Sequence, residues 1–146
     1  QMYPQADIPV VQLSLDYTRS PEQHYEFAKQ LAPLRKKGIL IIGSGNIVHN
    51  LGRVVLQDGD FNQPFGLDWA LEASAIFKKL INEGAHKELA DYQKLGGAVQ
   101  LAVPTPEHYL PLLYALALKG EKEQLSYFND QAVAGSLTMT SIRIGV

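Results

Sequence analysis

The sequence predicts an α/β fold: a mostly parallel central sheet flanked by helices, with an edge-type strand near the C-terminal end, and a domain that is partial rather than whole. Three observations carry this expectation. Residues 39–42 (Ile-Leu-Ile-Ile) form a short, non-alternating, β-branched-rich run, the pattern of a strand buried on both faces. A helical pattern with a strong start signal separates that run from an earlier strand-like run at residues 8–15. Strand, helix and strand in that order make the right-handed βαβ crossover from which parallel pairs are built. Residues 135–145 alternate apolar and polar at period two, as a strand with one face on the core does.

The elements follow in order. Residues 1–9 lead almost at once into the first strand-like run, with no helix or turn of their own, and read as a loop inside a longer protein. Within 8–15, Val11, Leu13 and Leu15 share one face, and Pro9 fits the first positions of a strand. Residues 16–20 are a polar loop. Ser20-Pro21-Glu22-Gln23 is a helix start, with Ser20 as N-cap, Pro21 at the first helical position and Gln23 at capping-box spacing. That helix is expected to run to Lys37 on a stripe of Phe27, Leu31 and Leu34, with Gly38 ending it and Pro33 introducing a kink or an early break.

Gly43 and Gly45 then give a tight exit from the strand at 39–42, and the segment delivers His49 to its C-terminal end. In open α/β sheets ligands bind at that end. The competing reading of His49 is a packed or capped histidine near a helix start. Asn50 and Leu51 are expected in a short helical turn, and residues 52–66 in a loop rich in Gly, Pro, Asp and Asn (Asn62 among them). Residues 67–83 form an amphipathic helix carrying Trp69, Leu71, Ala73, Phe77, Leu80 and Ile81, ended by Gly84. A shorter helix, 86–95, starts at a solvated His86 and stops at Gly96-Gly97.

The second informative stretch is Val103-Pro104-Thr105-Pro106-Glu107-His108-Tyr109-Leu110-Pro111-Leu112-Leu113-Tyr114. Thr105 reads as the cap of an apolar helix running to Gly120, with Pro106 and Glu107 in its first turn. His108 would sit in that turn, facing unpaired N–H groups that favour the neutral, metal-binding form of imidazole. A histidine packed against a backbone group is again the competing reading.

Composition bounds the function classes. A chain of 146 residues is one domain by length, and its net charge of −2 offers no electrostatic footprint for nucleic acid or an anionic membrane. The absence of cysteine excludes thiolate catalysis, thiolate metal sites and disulfides, and fits a cytoplasmic protein. No apolar run reaches the ~20 residues of a membrane span, and no signal-peptide pattern or internal repeat is present. Gly43-Ser44-Gly45 after a strand suggests a phosphate cradle, yet it lacks both the third glycine of a dinucleotide fingerprint and the Gly-Lys-Ser/Thr of a P-loop.

Two histidine motifs, Ser44-Gly45-Asn46-Ile47-Val48-His49-Asn50-Leu51 and Pro104 to Tyr114, together resemble the class III extradiol ring-cleavage dioxygenases, in the 4,5-DOPA dioxygenase extradiol branch. Residues 7–16, Leu31-Ala32-Pro33-Leu34-Arg35 and Gly135-Ser136-Leu137-Thr138-Met139 support the resemblance, in the expected order along nearly the whole chain. It implies an oxidoreductase of aromatic-compound metabolism that opens a catechol ring, DOPA being the namesake, beside its two hydroxyls, with O2 and a non-haem Fe(II) or Zn(II). By the same resemblance His108 is a metal ligand, and His49 is the catalytic acid/base and a metal ligand when substrate is absent. His24 matches a frequent histidine position, but as a supporting residue rather than a ligand. No separate organic-cofactor residues are implied.

The resemblance covers only the C-terminal half of that family, which assigns residues 1–146 to the C-terminal part of its catalytic domain. The remaining ligands are expected from an N-terminal half opening with a His-Gly-Ser-Pro motif that does not occur here. The chain is therefore expected to bind metal weakly, to be inactive alone, and to associate with that missing half or with itself. The alternative is a non-catalytic α/β binding module that keeps the scaffold without a complete metal site.

Overall fold

In the computed structural model the described residues are 3–61 and 63–145. Gln1, Met2 and Asn62, read as loop residues from sequence, lie outside them, as does Val146. The order of elements is α1 (Pro21–Lys29), α2 (Ala32–Arg35), α3 (Asp68–Glu83), α4 (His86–Ala90), α5 (Gly97–Ala102), α6 (Leu110–Ala117), β1 (Leu125–Phe128), β2 (Ala132–Val133), β3 (Leu137–Thr138) and β4 (Ser141–Ile144).

The local signals that predicted α1 work as expected. The Gln23 N–H donates to Ser20 Oγ at 3.2 Å, and the Ser20 N–H donates to Gln23 Oε1 at 2.9 Å, a complete capping box. Pro33 splits the expected long helix into α1 and α2, because a proline inside a helix has no N–H to give and its ring crowds the preceding turn. Helix α3 buries Ala70, Ala73, Phe77 and Ile81 on one stripe and ends at Gly84 in the left-handed region, φ +67°.

The core gathers Val48, Phe77, Leu89, Val99, Tyr109 and Leu113, so α3 to α6 surround the segment that carries His49. The fully buried Tyr109 hydroxyl donates to the Leu89 carbonyl at 2.8 Å and ties the start of α6 to α4. Burial pushes its phenol well above the ordinary range. Helix α5 was not expected from sequence. It follows directly on Gly96, whose φ of +108° turns the chain, and it buries Val99 and Ala102.

The expected parallel central sheet is not seen among the described residues. Among the described residues there are two antiparallel pairs, β1 with β4 and β2 with β3. Residues 8–15 and 39–42 belong to no ladder. Val10 and Val11 are 89% and 92% exposed, and Leu40 and Ile42 are 74% and 68% exposed. A parallel strand needs backbone partners at its edges and covers on both faces, and nothing in the described chain supplies them to these runs. The edge-type C-terminal strand is present as β4, with Ser141 to Ile144 paired to Phe128 to Leu125.

Candidate metal centre

His49 is held by its backbone from two sides. Its N–H donates to the Ala102 carbonyl at the end of α5 (2.9 Å), and it forms a β-bridge with Leu137. The neighbouring Asn50 side chain donates to the Leu101 carbonyl at 2.7 Å, and the Thr138 N–H donates to the Val48 carbonyl at 3.1 Å. The segment before it is seated on the turn that carries His108. The Asn46 N–H donates to the His108 carbonyl at 2.8 Å. A Cβ at Gly45 would collide with that same carbonyl oxygen, and one at Gly43 would lie 2.6 Å from the Pro111 carbonyl oxygen. The Gly-Ser-Gly exit is thus a close-packing device between two backbones.

The second histidine motif sits differently from its expected place. Helix α6 begins at Leu110, so His108 lies in the preceding turn, closed by Tyr109 and Leu110 N–H groups on the Pro106 carbonyl (2.9 and 2.8 Å). Thr105 does not cap α6. Its hydroxyl donates to Glu107 Oε1 at 2.6 Å, and its carbonyl accepts from His49 Nε2 at 3.0 Å. Both prolines explain this: Pro106 and Pro111 bring no N–H, and a tight turn spends the remaining donors before the helix starts.

The turn brings the two histidines together. Their ring centroids are 5.1 Å apart at 44°. One ligand atom each from His49, Glu107 and His108 fall within 4.8 Å of one another, a two-histidine, one-carboxylate group. His108 Nδ1 lies 3.2 Å from Glu107 Oε1, a contact in which the ring nitrogen donates.

Tautomer logic sharpens the picture at His49, which is 6% exposed. A carbonyl can only accept, so Nε2 carries the proton given to Thr105, and Nδ1 keeps its lone pair in the neutral ring. That Nδ1 is buried with no hydrogen-bond partner, as is Asn46 Oδ1. An orphaned buried acceptor costs ~1–3 kcal/mol, and a cation or a donor proton at Nδ1 would relieve it. Burial, above all, holds the His49 pKa below the ordinary imidazole value, with the nearby His108 adding to the effect against opposing hydrogen bonds. The hydrogen bond from Thr105 holds the Glu107 carboxyl below its ordinary value, with His108 assisting. A neutral imidazole beside an ionised carboxylate is the donor set that a divalent first-row metal takes, so the residues fit such an ion.

The other histidines stand apart from this group. His24 is 1% exposed, accepts at Nδ1 from the Tyr114 hydroxyl (2.8 Å) and donates from Nε2 to the Asp16 carbonyl (3.0 Å), a supporting role at the α1–α6 contact. His86 is paired with the Tyr25 hydroxyl at 2.7 Å and is partly buried rather than solvated. Glu107 is the member that sequence reasoning missed. In sequence its position next to His108 suggests only a helix-dipole effect, and the Thr105-Pro106-Glu107 turn is what brings it to both rings.

Fold and centre define a helical scaffold on which His49, Glu107 and His108 form a group that could hold a metal ion. The comparisons give that class its relatives. The chain is 41% identical over 148 residues to 4,5-DOPA dioxygenase extradiol of Escherichia coli K12, covering 99% of this chain and 53% of that protein. It is 32% identical over 143 residues to the protein of the same name from Beta vulgaris, covering 97% and 51% respectively. A solved structure, described as an uncharacterized protein from Escherichia coli K12, superposes with a TM-score of 0.81 at 34% identity, covering 99% of this chain and 58% of that one. No family model matches the chain. The chain spans about half the length of the curated relatives it matches, in agreement with the resemblance to the C-terminal half of an extradiol dioxygenase.

Proposed function

We propose that this chain is the C-terminal half of an extradiol, ring-cleaving dioxygenase that acts on a catechol such as DOPA with O2, and that residues 1–146 are part of its catalytic domain. The observation that carries the reading is the buried, neutral His49 with Nδ1 unpartnered, set against Glu107 and His108. In this reading His108 is a metal ligand, with Glu107 beside its ring. His49 serves as a ligand when no substrate is present and as the acid/base when one is. When bound, Fe(II) or Zn(II) supplies Lewis acidity toward the catechol hydroxyls. His49 Nδ1 then takes the proton of the second hydroxyl and returns it later, which a neutral imidazole can do. The Thr105 carbonyl holds the ring through Nε2 while that proton moves.

The remaining ligands come from a companion half of the length that the relatives carry beyond the match. The lone chain is therefore expected to bind metal weakly and to turn over no catechol. A cytoplasmic location belongs to the same reading. The test is a calorimetric titration of Zn(II) into the metal-free chain and into His49→Ala and His108→Ala. One saturable site, weakened at least about tenfold in both variants, supports the reading. Equal affinity in all three proteins would refute it, leaving a non-catalytic module that keeps the scaffold. Robust ring cleavage by the lone chain would overturn the half-site.

A further inference from the structure

Thr105 reaches both histidines of the metal centre, each with a different group. Its carbonyl accepts from His49 Nε2 at 3.0 Å, and its hydroxyl donates to Glu107 Oε1 at 2.6 Å. The same Oε1 accepts from His108 Nδ1 at 3.2 Å. Glu107 is thus shared between a threonine hydroxyl and an imidazole N–H, and the shorter bond goes to the hydroxyl.

The two arms differ in what supports them. The carbonyl belongs to a backbone unit set between Pro104 and Pro106. A residue that precedes proline is largely confined to extended backbone, so the direction of the Thr105 carbonyl does not depend on the Thr105 side chain. The turn beyond it is closed by the Tyr109 and Leu110 N–H groups on the Pro106 carbonyl. The hydroxyl arm lacks that support. Thr105 is exposed, and the Glu107 side chain is 31% exposed, so an untethered carboxylate there would exchange among rotamers. A bond of 2.6 Å lies in the short range of charge-assisted O–H···O⁻ contacts. It is also the first cause that holds the Glu107 carboxyl below its ordinary value.

The consequence is a pattern of protons. A carbonyl only accepts, so neutral His49 carries its proton on Nε2 and keeps a lone pair on Nδ1, the buried atom without a partner. An ionised carboxylate also only accepts, so neutral His108 carries its proton on Nδ1 and keeps a lone pair on Nε2. Two rings whose centroids are 5.1 Å apart are therefore held in opposite tautomers.

We propose that Thr105 is a positioning residue that fixes the tautomers of both histidines, His49 through its carbonyl and His108 through its hydroxyl and Glu107. The tautomers are a property of the metal-free chain. Only their use, two lone pairs offered to one metal ion, rests on the reading above.

The experiment records long-range proton–nitrogen correlation spectra of the imidazoles in the metal-free chain, at about pH 8, where an ordinary imidazole is neutral. The expected pattern is an Nε2 proton on His49 and an Nδ1 proton on His108. Thr105→Val deletes the hydroxyl at nearly constant size. His108 should then lose its preference for the Nδ1 proton, while His49 keeps its Nε2 proton, because the backbone arm is intact. Thr105→Ala supplies the same deletion should the valine variant not fold, and Thr105→Ser should restore the pattern. Thr105→Val added to Glu107→Ala should change nothing further, since the hydroxyl acts through that carboxylate. Zn(II) affinity is measured alongside and should fall at least about tenfold in Thr105→Val and recover in Thr105→Ser. A His108 tautomer indifferent to the hydroxyl would overturn the inference. So would a joint shift of both rings, which would mean that the side chain merely stabilises the turn, or a serine variant that behaves like the valine one. The two readings fail separately. Tautomers that respond as expected in a chain with no Zn(II) site keep the positioning role and remove the metal reading. A Zn(II) site lost in His49→Ala and His108→Ala, beside tautomers that ignore Thr105, does the reverse.

Discussion

Gly45→Ala tests how the two histidine motifs are held in register. The added Cβ meets the His108 carbonyl oxygen, which is main chain and cannot swing aside as a side-chain tip could. Forcing one methyl into a packed contact costs ~1–3 kcal/mol. Displacing that carbonyl also weakens the 2.8 Å bond from the Asn46 N–H, a further ~1 kcal/mol. Against this, Gly→Ala at an ordinary φ lowers the entropy of the unfolded chain by the equivalent of ~0.4–1 kcal/mol. The net expectation is a loss of about 2 kcal/mol, or a fall of about 1 M in the urea midpoint at a slope of about 2 kcal/mol/M. The control is Gly52→Ala, where the nearest atom to the new Cβ is 3.4 Å away, and the expected change is within about 0.5 kcal/mol. Urea unfolding followed by the fluorescence of Trp69 measures both. Zn(II) affinity should fall in Gly45→Ala and hold in Gly52→Ala, because only the first moves the turn that carries His108. If the two variants unfold at the same midpoint, the close approach of residues 43–46 to the His108 turn is not what holds the site.

Three further outcomes follow from the charges. Glu107→Gln keeps the size of the side chain but loses the charge that orients His108, so Zn(II) affinity should fall ~10–100-fold in competition with a chromophoric chelator, with unfolding nearly unchanged. His49 and His86 both have pKa values lowered chiefly by burial, so the unfolded chain binds more protons below about pH 6.5. The metal-free protein should therefore lose stability as pH falls through that value, by at most ~1.4 kcal/mol per pH unit for each ring, and His86→Gln should remove one share of the slope in a pH series of thermal midpoints. Glu123 is held down to about 2, first by its hydrogen bonds from Arg35 and then by the Gly120 N–H. Its contribution is present above the ordinary carboxylate range and is lost as pH falls toward 2, so Glu123→Gln should flatten the acid limb of an unfolding profile. An unaltered acid limb would mean that the pair contributes nothing.

What the sequence reveals about this chain divides along a physical line. Signals that act within a few residues are met in the structure: the capping box at Ser20, the break at Pro33, the glycine stop at Gly84, the alternation in β4. These need only neighbouring backbone. The nearness of His49 and His108 was legible because two separate motifs point to one family. The two-histidine, one-carboxylate group itself was not, since the role of Glu107 depends on a turn that two prolines impose and on a hydroxyl from Thr105. Helix α5 is not legible in the sequence for a similar reason. Gly96-Gly97 ends one pattern and begins another, and six residues are too few to show a period. Yet the Ala102 carbonyl at the end of that helix is what receives the His49 N–H.

The strands expected at residues 8–15 and 39–42 pose a different problem, since nothing in their pattern is ambiguous. Val10, Val11, Leu40 and Ile42 are apolar as in a central parallel strand, yet each is largely exposed. Local propensity cannot account for a solvent-facing run of that kind, because an exposed β-branched segment gains no burial energy and invites edge pairing. Burial on both faces is the condition under which such a sequence is stabilising, at ~25 cal/mol for each Å² of apolar surface removed from water. The pattern therefore describes an assembled sheet rather than the surroundings this chain alone provides. On the proposed reading, the partners of that sheet and the remaining metal ligands belong to the same companion half. The run at 39–42 leads through Gly43 and Gly45 straight to His49, so on the proposed reading whatever covers that run also lies near the His49, Glu107 and His108 group.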